Sequence, residues 1–256
     1  MNRDFTLEIY TALLNVALKD DFIIFSLKEY FEKKFNDNKY IILRHDVDKN
    51  PEQSLKTAII ENKLDIKSSY YFRIGSNSNN PDIIKKIVSL GHEIGYHYED
   101  LAAQKGEYDK AIDSFGKNLE YFRKYYPVKT ICMHGSPLSK WDNRLIWNKI
   151  DYKDYGIIGE PYIDLDYDQI CYITDTGRKW NSKTGNIRDK VESVQRLKIT
   201  STFDLIREIK AGTIPNKIMI NSHPQRWHNS FGLWLSEYIL QNSKNVVKKL
   251  LTKYNK

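Results

Sequence analysis

The apolar positions of this 256-residue chain change period along its length. Over residues 6–19, Leu7, Tyr10, Leu13, Leu14 and Leu18 recur at helical spacing, so one face of a helix is predicted there. Ser26 stands where an N-cap belongs, ahead of a second helix running to Phe35. From residue 40 the rhythm shifts to short apolar runs, each followed by polar residues and a helical stretch. The runs are Tyr40–Leu43, Ser69–Ile74, Glu93–His97, Thr130–Met133, Gly156–Gly159, Ile170–Thr174 and Lys217–Ile220. Helices are expected between and after them at 51–62, 81–90, 107–124, 142–149, 202–211 and 229–253. Runs rich in Ile, Val, Tyr and Phe that alternate with amphipathic helices predict βαβ units and a mostly parallel sheet. The expected fold is therefore α/β, a distorted (β/α) barrel of about seven parallel strands over 39–256, with an N-terminal helical extension over 1–38. Such a barrel carries its active site at the C-terminal ends of its strands.

The reactive residues fall at those ends. Asp46 and Asp48 close the first run in Arg44-His45-Asp46-Val47-Asp48. Side chains alternate along a strand, so the two carboxylates share one face. Two like charges that close are costly unless a cation or a shared proton relieves them. A divalent metal does so, leaving one carboxylate as ligand and the other as base; the plainer alternative is that Asp48 caps the helix after Pro51. His97 ends the third run between Gly91 and Gly95, placed as a metal ligand or as a buried histidine bonded to a carbonyl. His92 precedes that run and is expected to be structural, and His45 to shape the first strand's exit. His134 ends the fourth run, Asp175 the sixth and His223 the seventh, where Pro224 turns the chain away. A carboxylate near His223 would set its tautomer and basicity, which suits a general acid. Trp180, Trp227 and Arg178 are candidate substrate contacts, the tryptophans as a floor for a sugar ring or as ordinary packing.

Composition narrows the class. No run approaches the roughly 20 apolar residues that cross a bilayer, and the first residues lack the layout of a secretory signal. The two cysteines, Cys132 and Cys171, sit in apolar runs as buried thiols, so a cytoplasmic location is expected. A net charge of +7 comes from scattered lysines without any nucleic-acid-binding pattern, so no nucleic-acid partner is expected. The C-terminal lysines read as a solvated helix face.

Taken in order, LRHDVD, GHEIGYH, MHGSP, DTGRKW and NSHP resemble the five motifs of the NodB-like polysaccharide deacetylases, carbohydrate esterase family 4, over roughly residues 40–224. The resemblance implies a divalent metal, zinc first among candidates, and hydrolysis of an acetyl group on an N- or O-acylated carbohydrate. It also implies Asp46 as general base, Asp48 and His97 as metal ligands, His223 as general acid and Asp175 as the carboxylate that tunes it. The family's base-orienting arginine has no match at His134, so Arg144 or Arg178 would take that role. The family's second ligand histidine falls at Leu101, which cannot bind metal. His134 is the candidate third ligand, with Glu99 or Asp100 behind it. Because no export signal is read, a biosynthetic sugar intermediate is the expected substrate. Two other outcomes stay open: a carbohydrate-binding barrel that has lost its metal, and an amidohydrolase of another substrate class.

Overall fold

The longest strand is also the most heavily charged, and its partners explain why it holds. The computed structural model describes residues 3–33, 39–136, 139–180 and 199–254. The chain opens with α1 (Leu7–Lys19), β1 (Ile23–Phe25) and α2 (Leu27–Glu32). Ser26 caps α2 in a reciprocal box with Glu29, as its position predicts. The end expected at Phe35 falls in residues 34–38, outside the described residues.

β2 (Tyr40–Val47) follows, then α3 (Pro51–Lys63), β3 (Ser69–Phe72), α4 (Pro81–Ser89), β4 (Glu93–Tyr98), the short α5 (Asp100–Ala103), α6 (Tyr108–Arg123) and β5 (Ile131–Met133). After two 3₁₀ turns (Asn143–Asn148 and Tyr152–Tyr155) come α7 (Pro161–Asp164), β6 (Cys171–Thr174), α8 (Thr202–Lys210), β7 (Lys217–Ser222) and α9 (Phe231–Tyr254).

All pairings are parallel, in the order β5-β4-β3-β2-β7-β6. β1 pairs with Tyr40–Ile42 of β2, and β3 takes over from Arg44 onward. The expected strand ends at Leu43, but β2 runs four residues further because Arg44–Val47 pair with Ser69–Phe72. The apolar run marked only the part of β2 whose side chains are hydrophobic. Among the described residues seven strands are reached with one exchange: Gly156–Gly159 makes a single bridge to Thr130 rather than a strand, and β1 is the seventh. The helix expected at 142–149 is a 3₁₀ turn capped by Asp142.

Alternation along the strands sorts the core. Tyr40, Ile42, Tyr71, Cys132, Tyr172 and Met219 meet in one buried cluster inside the curved sheet. Ile41, Leu43, Ile173, Ile218 and Ile220 face outward against α1 and α8, and Tyr70, Phe72, Ile94 and Tyr96 against α4 and α6. Gly95 is required where it stands: a Cβ there would lie 2.2 Å from the Tyr71 ring, inside contact distance. Gly91 has φ +83°, the left-handed region that glycine enters freely. Of the helical extension expected over 1–38, β1 lies in the sheet itself, and Tyr10, Leu13, Leu14 and Ala17 of α1 belong to the outer core.

Candidate metal and catalytic site

Even-numbered residues of β2 point into the curved sheet, so its parity carries Tyr40 and Ile42 at the bottom to Arg44, Asp46 and then Asp48 at the top. β4 brings His97 to the same end, β5 is followed by His134 and β7 by His223. Asp48 Oδ1 lies 3.7 Å from His97 Nε2 and 3.7 Å from His134 Nε2. Its other oxygen is 3.9 Å from His223 Nε2. Asp46, Asp48, His97, His134 and His223, expected together from their places at run ends, are brought together.

Each ring has its far nitrogen engaged. His97 donates through Nδ1 to the Cys132 carbonyl at 2.9 Å, the buried-histidine alternative foreseen for it, and turns Nε2 toward Asp48. His134 donates through Nδ1 to Glu99 at 2.8 Å, and Glu99 is gripped by Arg73 at 2.6 and 2.8 Å. With the far nitrogen a donor, the neutral imidazole carries its lone pair on Nε2. Burial, chiefly, pushes His97 down to about 4 against the pull of Asp46, so it is neutral at pH 7. Burial also works against His134, but the Glu99 hydrogen bond and Asp48 override it and raise its pKa.

Among the described residues Asp48 Oδ1 is buried without a hydrogen-bond partner, and what faces it is Nε2 of His97 and of His134. A carboxylate oxygen in that setting is unfavourable unless a cation sits among the three atoms. Two ligands at about 2.0–2.1 Å from a tetrahedral zinc stand about 3.3 Å apart, a few tenths closer than these pairs. One carboxylate and two imidazoles also leave a fourth position open, the arrangement of catalytic zinc. The donor set therefore fits a divalent metal. Asp46, His97 and the Cys132 thiol form a second convergent trio in the floor. There Asp46 is already held, as follows.

Arg44, two residues earlier on the same face of β2, grips Asp46 with two parallel hydrogen bonds of 2.8 and 2.6 Å. Asn221, its neighbour on β7, adds a third at 2.9 Å. Burial would raise the Asp46 pKa, but the Arg44 guanidinium, with His97, holds it well below the usual carboxylate range. The arginine expected at 144 or 178 is thus Arg44. Arg144 pairs instead with Asp142. The signal was present as an i, i+2 pair on one strand face.

Asp175 ends β6 on the opposite parity and stands behind His223. It accepts from His223 Nδ1 at 2.6 Å and from the His223 backbone N–H at 3.1 Å. Arg226 at 2.5 Å and the Trp227 indole at 3.1 Å complete its shell. Burial opposes ionisation, but Arg226 and then His223 hold Asp175 below its ordinary pKa. Arg226 was not anticipated, though it stands three residues after His223 in the turn that Pro224 begins.

Three expected substrate contacts lie elsewhere. Trp180 and Trp227 are 2% and 0% exposed and pack around Phe5, too enclosed to floor a sugar ring. Arg178 donates to the Trp234 carbonyl and stacks over the Trp234 ring, holding α9. Leu101 is fully buried in the core, and Asp100 bonds Tyr96, Ser114 and Asn118 away from the site. His45 and His92 point to the far side of the sheet and meet at Glu61, as structural residues do.

The chain matches no model of a protein family and no curated protein. Among solved structures, several similar ones are family 4 carbohydrate esterases. One is a pseudoenzyme of that family from Bacillus anthracis, 14% identical over 82% of this chain, with a TM-score of 0.47; the chain spans 63% of that protein's length. A peptidoglycan N-acetylglucosamine deacetylase is 17% identical over 82% of this chain and 84% of its own, with a TM-score of 0.41. A family 4 carbohydrate esterase of Bacillus subtilis is 12% identical over 91% of this chain and 84% of its own, with a TM-score of 0.42. At such scores the chemistry rests on the distances above. No helix among the described residues is long and apolar enough to cross a membrane.

Proposed function

We propose that the chain is a divalent-metal-dependent hydrolase that removes an acetyl or similar acyl group from an N- or O-acylated carbohydrate, most simply a precursor in glycan biosynthesis. The observation that carries this is Asp48 Oδ1, buried without a donor among the described residues and faced by Nε2 of His97 and of His134. Asp48, His97 and His134 would hold the metal. A cation there supplies Lewis-acid stabilisation of negative charge that develops on an acyl oxygen.

The rest falls to the chain. Asp46, fixed as an anion by Arg44 and Asn221, takes a proton from the attacking water. His223 donates from Nε2 to the departing amine or alcohol, and Asp175 keeps its Nδ1 protonated and its ring oriented. Arg226 prevents Asp175 from taking that proton itself, because the guanidinium favours the carboxylate form. Base and acid thus stand on β2 and just after β7, adjacent strands, on either side of Asp48. The resemblance of the five motifs supplies the substrate class.

Acetate release from N-acetylated oligosaccharides, measured before and after chelation and after zinc is restored, tests the proposal. Release that stops on chelation and returns with metal is expected. Equal release throughout, or none with any acylated sugar while metal is bound, would remove it.

A further inference from the structure

α9 is built inside out. Its face toward the body is polar and aromatic: Glu237 and Gln241 are buried, and Glu237 accepts from Lys49 at 2.8 Å. Asn245 donates to the Gly177 carbonyl at 2.9 Å, and Trp234 lies under the Arg178 guanidinium at 4.6 Å. The face toward solvent carries Leu233, Leu235, Ile239, Leu240, Val246 and Val247, each between 36% and 57% exposed. A helix on a globular body normally turns such residues inward. Scattered apolar residues need no explanation, but six on one helix form a patch that does.

Charge says what covers it. Residues 231–256 hold five lysines and a single acid, Glu237, which is the one already paired with Lys49. Lys244 is exposed beside the apolar residues. Among the described side chains of α9 the outward face is apolar, with Lys244 beside it and no acid other than the paired Glu237. A second copy of the chain would bring the same lysine-rich segment to both sides of the contact. An anionic bilayer surface offers apolar depth and opposite charge together, the partner of a basic amphipathic helix lying in the interface plane.

We propose that α9 docks the protein on an anionic lipid surface. The helix also holds the two loops that carry the site, through Lys49 next to Asp48 and through Gly177 and Arg178 just after Asp175. Docking there leaves the strand-end site close to the lipid headgroups.

The full chain is sedimented with vesicles of phosphatidylcholine alone and of equimolar phosphatidylcholine and phosphatidylglycerol. Binding at least about tenfold tighter to the anionic vesicles is expected, falling with added salt. Leu235→Glu with Ile239→Glu is expected to abolish it while far-UV circular dichroism and melting temperature stay unchanged. Three results would each overturn the proposal. They are absence of binding to anionic vesicles, binding that the double variant retains, and a wild-type dimer in sedimentation equilibrium that the double variant converts to monomer.

Discussion

Glu99 illustrates how this site is held one layer behind its histidines. It accepts from His134 Nδ1 and is pinned by Arg73, and its carboxyl is brought down to about 2 despite burial, first by the His134 hydrogen bond. Glu99→Gln is expected to keep the fold and weaken zinc binding about 10–100-fold, the usual effect of losing such a partner. Titration calorimetry of the metal-free protein reads this directly, and an unchanged affinity would remove Glu99 from the site. Asp46→Asn separates base from ligand: acetate release is expected to fall about 10²–10⁴-fold, with zinc affinity changed less than tenfold. Parallel loss of both would make Asp46 a ligand. Much of this was legible at the residue scale, because Asp46, Asp48, His97, His134 and His223 all close apolar runs. What was not legible, apart from Asp175 behind His223, is which residues stand behind them. Arg73 precedes Glu99 by 26 positions, and only the β3–β4 pairing brings those ends together.

Between elements, Glu61 on α3 ties several together outside the site. It is fully buried and meets Tyr10 of α1, His45 of β2, Ser68 and Tyr70 at β3, with His92 at 3.7 Å. Burial would raise its pKa, but His45 and these hydrogen bonds bring it down to about 2 from an ordinary 4.5. A carboxyl lowered on folding stabilises the protein above its unfolded pKa and loses that contribution as pH falls through the folded one. The contribution is on the order of 3 kcal/mol at neutral pH and fades between about pH 4.5 and 2. Glu61→Gln is therefore expected to be less stable than wild type at pH 7, with the gap narrowing below pH 4.5. Urea unfolding over that range checks it; a gap that stays constant with pH would contradict it. The sequence reading placed His45 and His92 as structural but did not see Glu61, since a glutamate in an amphipathic helix ordinarily faces water. The same limit hid β1: three residues are too short to show a period of two.

At the scale of the molecule, the described residues 3–33 are tied into the sheet and its outer core. β1 pairs with β2, and α1 contributes Tyr10, Leu13, Leu14 and Ala17 to the outer core. Each large apolar side chain withdrawn from water contributes roughly 1.5–3 kcal/mol, against a typical total stability of about 5–15 kcal/mol. A chain of residues 39–256 is expected to lose cooperative unfolding, followed by circular dichroism; a melt close to that of the full chain would instead support an independent domain. The barrel class was legible from the alternation of apolar runs and helical stretches. The register that turns Asp46 and Asp48 inward was legible from their spacing. His134 was already the candidate to stand in for the histidine absent at Leu101; what needed the structure is the β4–β5 pairing that sets the end of β5 beside His97.

On the proposed function, Asp48, His97 and His134 together hold one divalent cation. Calorimetric titration of zinc into the metal-free protein, wild type beside His134→Ala, tests it most directly. One zinc per wild-type chain is predicted, bound at least about 100-fold more weakly when His134 is removed. Equal binding by the two proteins, or no binding by the wild type, would contradict it.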